Sequence, residues 1–303
     1  MEGKLKRPFL DHQVLGRLGR LSVIPRGLVE GSFTGQHKSP HRGASVEFAE
    51  YRKYVPGDDI RHIDWRVYAR SDRFYLKEFE ADTNLRCHLV LDCSASMGFA
   101  GAHGSKIDYA RHLAATLAYL LVHQGDFIGL TAFNDQVMEE IPARGNPAHL
   151  RNIFDTLERL QPRGPTDLVA NLHTLAERCK RRALVVVISD CFTDPEALLD
   201  CFQHMRFRKH DLAVFHLLDR QELDFAFERP IRFVDLESST ALITEPQTIQ
   251  AQYRLAVNQY LAELQRGCRE YAVDYRQAVL DIPYEKVLTD FLLERIRRGQ
   301  SRT

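Results

Sequence analysis

The chain has 303 residues, with 41 Lys and Arg against 41 Asp and Glu, so no global field draws it toward nucleic acid or an anionic membrane. Hydrophobic residues at 44% and charged residues at 27% are ordinary for a soluble globular protein of one large domain or two modest ones. The longest apolar stretch, 113–122, is too short to span a bilayer, and Met-Glu-Gly-Lys-Leu-Lys-Arg-Pro lacks the apolar core of a signal peptide. The expectation is therefore a cytoplasmic protein without membrane insertion.

Residues 1–44 carry eight Lys and Arg against three Asp and Glu. They lack the aromatic interleaving of a base-stacking surface, which predicts a solvated or self-packing arm and no nucleic-acid partner. Residues 47–66 are dense in charge around one turn. Pro56-Gly57-Asp58-Asp59 is strong turn chemistry, and Arg52, Arg61 and Arg66 match Asp58, Asp59 and Asp64 in number. Such a cluster needs mutual satisfaction to be ordered. Arg61 or Arg66 is expected to pair with one of those three aspartates, around a largely buried Trp65. The block would then staple the N-terminal β-structure to the sheet, whereas an exposed Trp65 would point to a docking surface.

From residue 86 onward strand and helix patterns alternate, which predicts an α/β fold with a largely parallel sheet. Strand 87–91 is followed by helical spacing at Ile107, Ala110, Ala114, Leu117 and Leu121, then by strand 127–133. Asn134-Asp135 turns into 136–141, an antiparallel edge strand. Helices are predicted near 147–160 and 167–180, then strand 183–188, a helix at 195–208 and strand 212–218. Residues 230–245 read as an inserted hairpin before a long helix at about 247–270, strand 273–280 and a closing helix.

The chemistry gathers where strands end. The apolar run 87–91 breaks into Asp92-Cys93-Ser94-Ala95-Ser96, so one carboxylate and two hydroxyls emerge at a carboxyl edge, where open parallel sheets bind ligands. Oxygen-only donors suit a hard cation such as Mg²⁺. Two further pieces lie downstream. The β-branched run 183–188 ends in Ser189-Asp190, and Arg163-Gly164-Pro165-Thr166-Asp167 forms a turn that opens a helix and places the Thr166 hydroxyl at a loop. The six cysteines form no Cys-x-x-Cys and read as reduced core residues, Cys93 and Cys191 included. No histidine pattern suggests zinc.

Asp-x-Ser-x-Ser, a loop Thr and a strand-end Asp together resemble the ligand set of a metal-ion-dependent adhesion site. The chain thus resembles a von Willebrand factor A domain, and the resemblance implies that Asp92, Ser94, Ser96, Thr166 and Asp190 hold Mg²⁺ or Mn²⁺. The block at 47–66, ahead of that motif, resembles the bacterial domain-of-unknown-function family 58 over roughly residues 40–295. That resemblance implies a von Willebrand factor A-like, Rossmann-type, largely parallel central sheet flanked by helices, spanning 86–298. Residues 1–85 would form an N-terminal β-containing extension. It further implies a non-enzymatic interaction module acting with a MoxR-type AAA+ ATPase, or that enzyme's client, through a partner's acidic residue. Many relatives carry two N-terminal transmembrane helices, and this chain is similar to the short soluble subgroup.

The alternative is a Mg²⁺-dependent hydrolase or phosphatase using the same site. The segment 98–106 fails the spacing of a phosphate-binding loop, and its Lys106 is expected to face solvent. Ser94 stands where a second carboxylate would be needed, and a hydroxyl is a poor general acid. Asp108 and His112, one helical turn apart, are expected to be an exposed pair rather than an acid–base couple.

Overall fold

The computed structural model describes residues 7–19, 21–24, 47–55, 63–71, 73–80, 85–227, 229, 231–237 and 240–300. It divides into two compact units, one of residues 27–85 and a larger one of residues 1–26 with 86–303.

In the larger unit, helix α1 (His12–Leu18) starts at Asp11, whose carboxylate accepts from the N–H of Gln13 and Val14. Phe9, Leu10, Val14, Leu15, Leu18 and Val23 are buried, Phe9 meets Phe154 edge-on at 6.2 Å, and Arg7 pairs with Asp155 and Glu158. The described part of the N-terminal segment is thus packed against the body rather than solvated, because its apolar residues recur at helical spacing.

The smaller unit pairs β1 (Glu47–Lys53) with β2 (Tyr75–Glu80), antiparallel and with one bulge, around helix α2 (Trp65–Ser71). Asp64 is buried and caps that helix, accepting from the N–H of Arg66 at 2.9 Å and of Val67 at 3.3 Å. Trp65 is not buried: 59% of it is exposed. The packing role falls to Tyr68, stacked on Phe74 at 4.4 Å, while Trp65 touches Tyr68 edge-on from the rim. Arg61, Asp58 and Asp59, expected to pair in this block, lie outside the described residues.

The larger unit is built on β3 (Arg86–Asp92), β6 (Phe127–Phe133), β7 (Val137–Arg144), β8 (Leu184–Ser189), β9 (Asp211–Leu218) and β12 (Asp274–Val279). They lie in the order β12-β9-β8-β3-β6-β7. All neighbours are parallel except β6 and β7. Every residue of β8 and β9 is buried, as central parallel strands with both faces covered require. Between β3 and β6 run the two-residue strands β4 (Ala100–Gly101) and β5 (Gly104–Ser105) and helix α3 (Lys106–His123).

Helices α4 (Pro147–Arg159) and α5 (Leu168–Arg178) carry the chain from the β7 edge to β8, and α6 (Pro195–Phe207) links β8 to β9. After β9 come the short helix α7 (Arg220–Asp224), the hairpin β10 (Ile231–Val234) and β11 (Ala241–Thr244), and the long helix α8 (Pro246–Glu270). Helix α9 (Tyr284–Gln300) follows β12. Phe133, Leu172, Val187, Phe202, Val214 and Leu264 form one continuous core under α5, α6 and α8. No helix among the described residues is long and apolar enough to cross a membrane.

This order fixes where a ligand can sit. From β3 the chain moves one way to β6 and β7, then crosses back to β8 on the other side of β3. The order reverses between β3 and β8, so their carboxyl ends, Asp92 and Ser189, open the crevice of the sheet.

Candidate metal centre at the carboxyl edge

Asp92 is fully buried at the end of β3. Its Oδ1 accepts from the N–H of Ser94 at 2.9 Å, and its Oδ2 accepts from the Ser189 hydroxyl at 2.7 Å and, loosely, from the Thr166 hydroxyl at 3.4 Å. Ser94 precedes a single 3₁₀ turn, Ala95–Gly98, which brings its Oγ within 3.0 Å of that of Ser96. Asp190 follows β8, is 5% exposed, and stands close enough to repel Asp92. Burial first, and then the Asp190 charge, push the Asp92 carboxyl up to about 6 against the hydrogen bonds from Ser189 and Ser94. The Asp92 carboxylate is thus the meeting point of Ser94, Thr166 and Asp190, with Ser96 joined through Ser94.

Backbone hydrogen bonds hold the Thr166 loop in place. Arg163 N–H donates to the Cys93 carbonyl, Ala95 N–H to that of Gly164, and the Asn134 side chain to that of Arg163. Gly164 has φ +73° with Asn134 Nδ2 close by, so a side chain there would be both strained and crowded. The β8 loop also carries strain. Cys191 takes φ +51° and puts the next residue, Phe192, 80% into solvent.

Lys106 does not face solvent. Its side chain is 3% exposed, and its ammonium lies 3.1 Å from Asp190 Oδ2 and 2.6 Å from Glu222 Oε1. Burial alone would lower its pKa, but the charges of Asp190 and Glu222 outweigh that and hold it above the ordinary lysine value. The expectation failed because Lys106 opens α3 beside these carboxylates, whose partners lie 84 and 116 residues away. Asp219 caps α7 and lies against Gly101, where an added Cβ would fall 2.3 Å from its carboxylate. Asp108 is exposed, as expected, and pairs with Arg111 and the Ser105 hydroxyl, while His112 is half-buried and stacks on Tyr284 at 4.8 Å.

The donor set consists of oxygens. Among the described residues, no group of three His, Cys, Asp or Glu side chains could hold a metal ion. Any cation here depends on the hydroxyls of Ser94, Ser96 and Thr166 beside the two aspartates. The charge balance suits one: the Lys106 ammonium is faced by Asp190 and Glu222, Asp190 also faces Asp92, and Asp219 and Glu237 border the same loops. All six cysteines are free, and Cys93 and Cys191 are fully buried. Burial lifts the Cys93 thiol to about 12 and that of Cys191 well above its usual value, so both are core residues rather than thiolate ligands. Sequence reasoning missed Ser189, Lys106, Glu222 and Glu237. Only Ser189 left a signal, as a hydroxyl closing an otherwise β-branched strand.

The six-stranded, mostly parallel sheet flanked by helices is a von Willebrand factor A-like α/β fold. The chain belongs to the family described as "Protein of unknown function DUF58", which matches residues 50–264. The "Uncharacterized protein Rv1480" of Mycobacterium tuberculosis is 29% identical over 232 residues, covering 75% of this chain and 72% of that protein. The "Uncharacterized protein Mb1516" of Mycobacterium bovis is similar to the same extent. Among solved structures, the conserved hypothetical protein BatB from Bacteroides thetaiotaomicron aligns over 71% of this chain and 100% of its own. It does so at TM-score 0.50 and 12% identity, a likeness of fold.

Proposed function

We propose that this protein is a metal-dependent interaction module. Asp92, Ser94, Ser96, Thr166 and Asp190 would hold Mg²⁺ or Mn²⁺, and a partner's Asp or Glu would complete the shell. The observation that carries the reading is Asp92 itself. It is a fully buried carboxylate held by hydroxyls and one N–H, repelled by a second carboxylate, at the point where strand order reverses. A bound divalent cation would supply positive charge and a coordination position open to an outside carboxylate. The chain's own residues prepare for this. Ser94 and Thr166 orient Asp92, and Lys106 fixes Asp190 while neutralising part of its charge. Phe192, exposed beside Asp190, offers the aromatic contact that protein interfaces favour.

The partner we propose is a MoxR-type AAA+ ATPase or its client, met in the cytoplasm, with the chain serving in assembly or remodelling. Exposed Trp65 makes the smaller unit a second docking surface in this reading. Recovery of such an ATPase in pull-downs is expected with Mg²⁺, lost in EDTA and lost in Asp92→Ala, with Thr166→Val intermediate. Equal recovery with and without EDTA refutes it.

One observation favours the phosphatase reading, a buried lysine beside the paired acids. Its charge, however, is already spent on Asp190 and Glu222, which leaves none for a phosphoryl group. Turnover of p-nitrophenyl phosphate that Asp92→Ala abolishes would reinstate it.

A further inference from the structure

The loops that enter β8 and β9 gather cations at the amino edge of the sheet. Lys180, Arg181 and Arg182 lie between α5 and β8, and Arg206, Arg208 and Lys209 lie at the end of α6 before β9. The two loops are neighbours, because the Asp211 N–H donates to the Ala183 carbonyl at 2.9 Å and Leu184 pairs with Asp211. Little opposes this charge. Asp211 is buried against Arg295, with Arg206 at 3.9 Å, and Glu177 lies 3.3 Å from His204 and 3.9 Å from Arg208. Lys180, Arg181, Arg182 and Lys209 form no ion pair among the described residues, and all but Arg182 are exposed. The positive field reaches the buried imidazole beside these loops. Burial first, and then the Arg208 charge, lower the His210 pKa, and Arg182 and His204 act in the same sense.

The end of α6 shapes this patch. The His210 N–H donates to the Met205 carbonyl at 3.1 Å and the Lys209 N–H to the Arg206 carbonyl at 2.9 Å, a paired closure that requires one left-handed residue. Lys209 takes that conformation at φ +66°. Glycine would adopt it without strain, so a lysine here carries an exposed charge at the expense of stability. Two residues earlier, Phe207 is 84% exposed. The helix thus ends in a solvent-facing aromatic ring flanked by Arg206 on one side and Arg208 and Lys209 on the other.

We propose that this edge docks on the surface of an anionic lipid bilayer. Phe207 enters the headgroup region, while Lys180, Arg181, Arg208 and Lys209 face the lipid phosphates and carboxylates. A base-stacking surface presents several rings along a basic groove, whereas these loops expose one. The cores of protein interfaces are depleted in lysine, and this patch exposes two. An aromatic ring among cations instead matches the boundary between headgroups and acyl chains, and it needs no spanning helix. The patch lies at the edge of the sheet opposite Asp92. A chain held this way turns its carboxyl edge away from the bilayer, so the proposal stands apart from the cation-site reading.

The test is co-sedimentation of the full chain with phosphatidylcholine vesicles that contain or lack phosphatidylserine. The wild type should pellet only with phosphatidylserine, equally in Mg²⁺ and in EDTA, and less at high salt. Lys180→Gln with Arg181→Gln should lower the partition by about tenfold or more. Arg229→Gln with Arg254→Gln, an equal loss of charge at exposed residues outside the patch, should leave it unchanged. Phe207→Ala should lower the partition at constant charge. Lys209→Gly relieves the left-handed strain, so it should not lower the melting temperature, yet it should weaken vesicle binding. A lysine that served only to end α6 would not give that second result. Equal pelleting with and without phosphatidylserine, or wild-type partition in Lys180→Gln with Arg181→Gln, overturns the proposal. Capture of single-stranded RNA in place of vesicles overturns it in favour of nucleic acid.

Discussion

Two acidic clusters are buried at opposite edges of the same sheet, and they are built on different terms. At the amino edge, Asp211 opens β9 and Asp274 opens β12, and the guanidinium of Arg295 forks between them. Arg298 adds a second contact to Asp274. The side chains of Asp211, Asp274 and Arg295 are no more than 2% exposed. At the carboxyl edge, Asp92 is as deeply buried, yet its hydrogen-bond partners are hydroxyls and an N–H, and the nearby Lys106 is committed to Asp190 and Glu222. The amino edge closes its charge within the chain and is structural. The carboxyl edge gives Asp92 no cationic hydrogen-bond partner, so burial and the Asp190 charge raise its pKa and make it the more easily neutralised carboxylate.

Removing a partner from the closed cluster should have the largest effect. Arg295→Met leaves two buried carboxylates facing each other, and urea denaturation should show a loss of about 3–5 kcal/mol. A loss under about 1 kcal/mol would erase the distinction between the two edges. The open cluster should behave in the opposite sense. Asp92→Asn removes a repelled charge while keeping shape, so metal-free stability should not fall. Mg²⁺ at about 100 times its dissociation constant should stabilise the wild type by about 2.7 kcal/mol and leave Asp92→Asn unchanged in a thermal melt. An equal Mg²⁺ effect on both proteins would show that the cation binds elsewhere.

The amino edge also carries His88, on β3 next to Arg86. Burial, then His210 and Arg86, lower its pKa from 6.5 to about 4. The folded state therefore resists its protonation. Its contribution is present above about pH 6.5 and is lost as pH falls toward 4, by about 3 kcal/mol. His88→Gln should flatten stability over that window, and an unaltered pH profile would show that the group is solvated. The smallest effect is expected at Trp65. Being mostly exposed, it should cost under about 1 kcal/mol on truncation to alanine, while ATPase capture drops if the smaller unit docks there. A loss of several kcal/mol would restore the buried-tryptophan expectation.

Much of the fold was legible because it depends on local pattern. The largely apolar runs that became β3, β8 and β9, the helical spacing of α3 and the turn into the antiparallel edge strand β7 all report on neighbours in sequence. The hairpin at 231–244 was also foreseen. The helical spacing of Leu10, Val14, Leu15 and Leu18 was present in the chain too, but its basic surroundings suggested an arm.

Asp92 could be read from the sequence because it ends an apolar strand, and Asp190 because it follows a second one, whereas the turn after β3 is what brings Ser94 and Ser96 together. Which charges face the crevice between these strand ends is a different kind of fact. Lys106 meets Asp190 across 84 residues, Glu237 meets Thr166 across 71, and Arg295 meets Asp211 across 84. A long charged side chain has no periodic signature, and its environment is set by segments that packing alone brings near. Composition and periodicity therefore determined the sheet and the oxygens at its edge. Tertiary packing decided which of the buried charges are closed and which are left open.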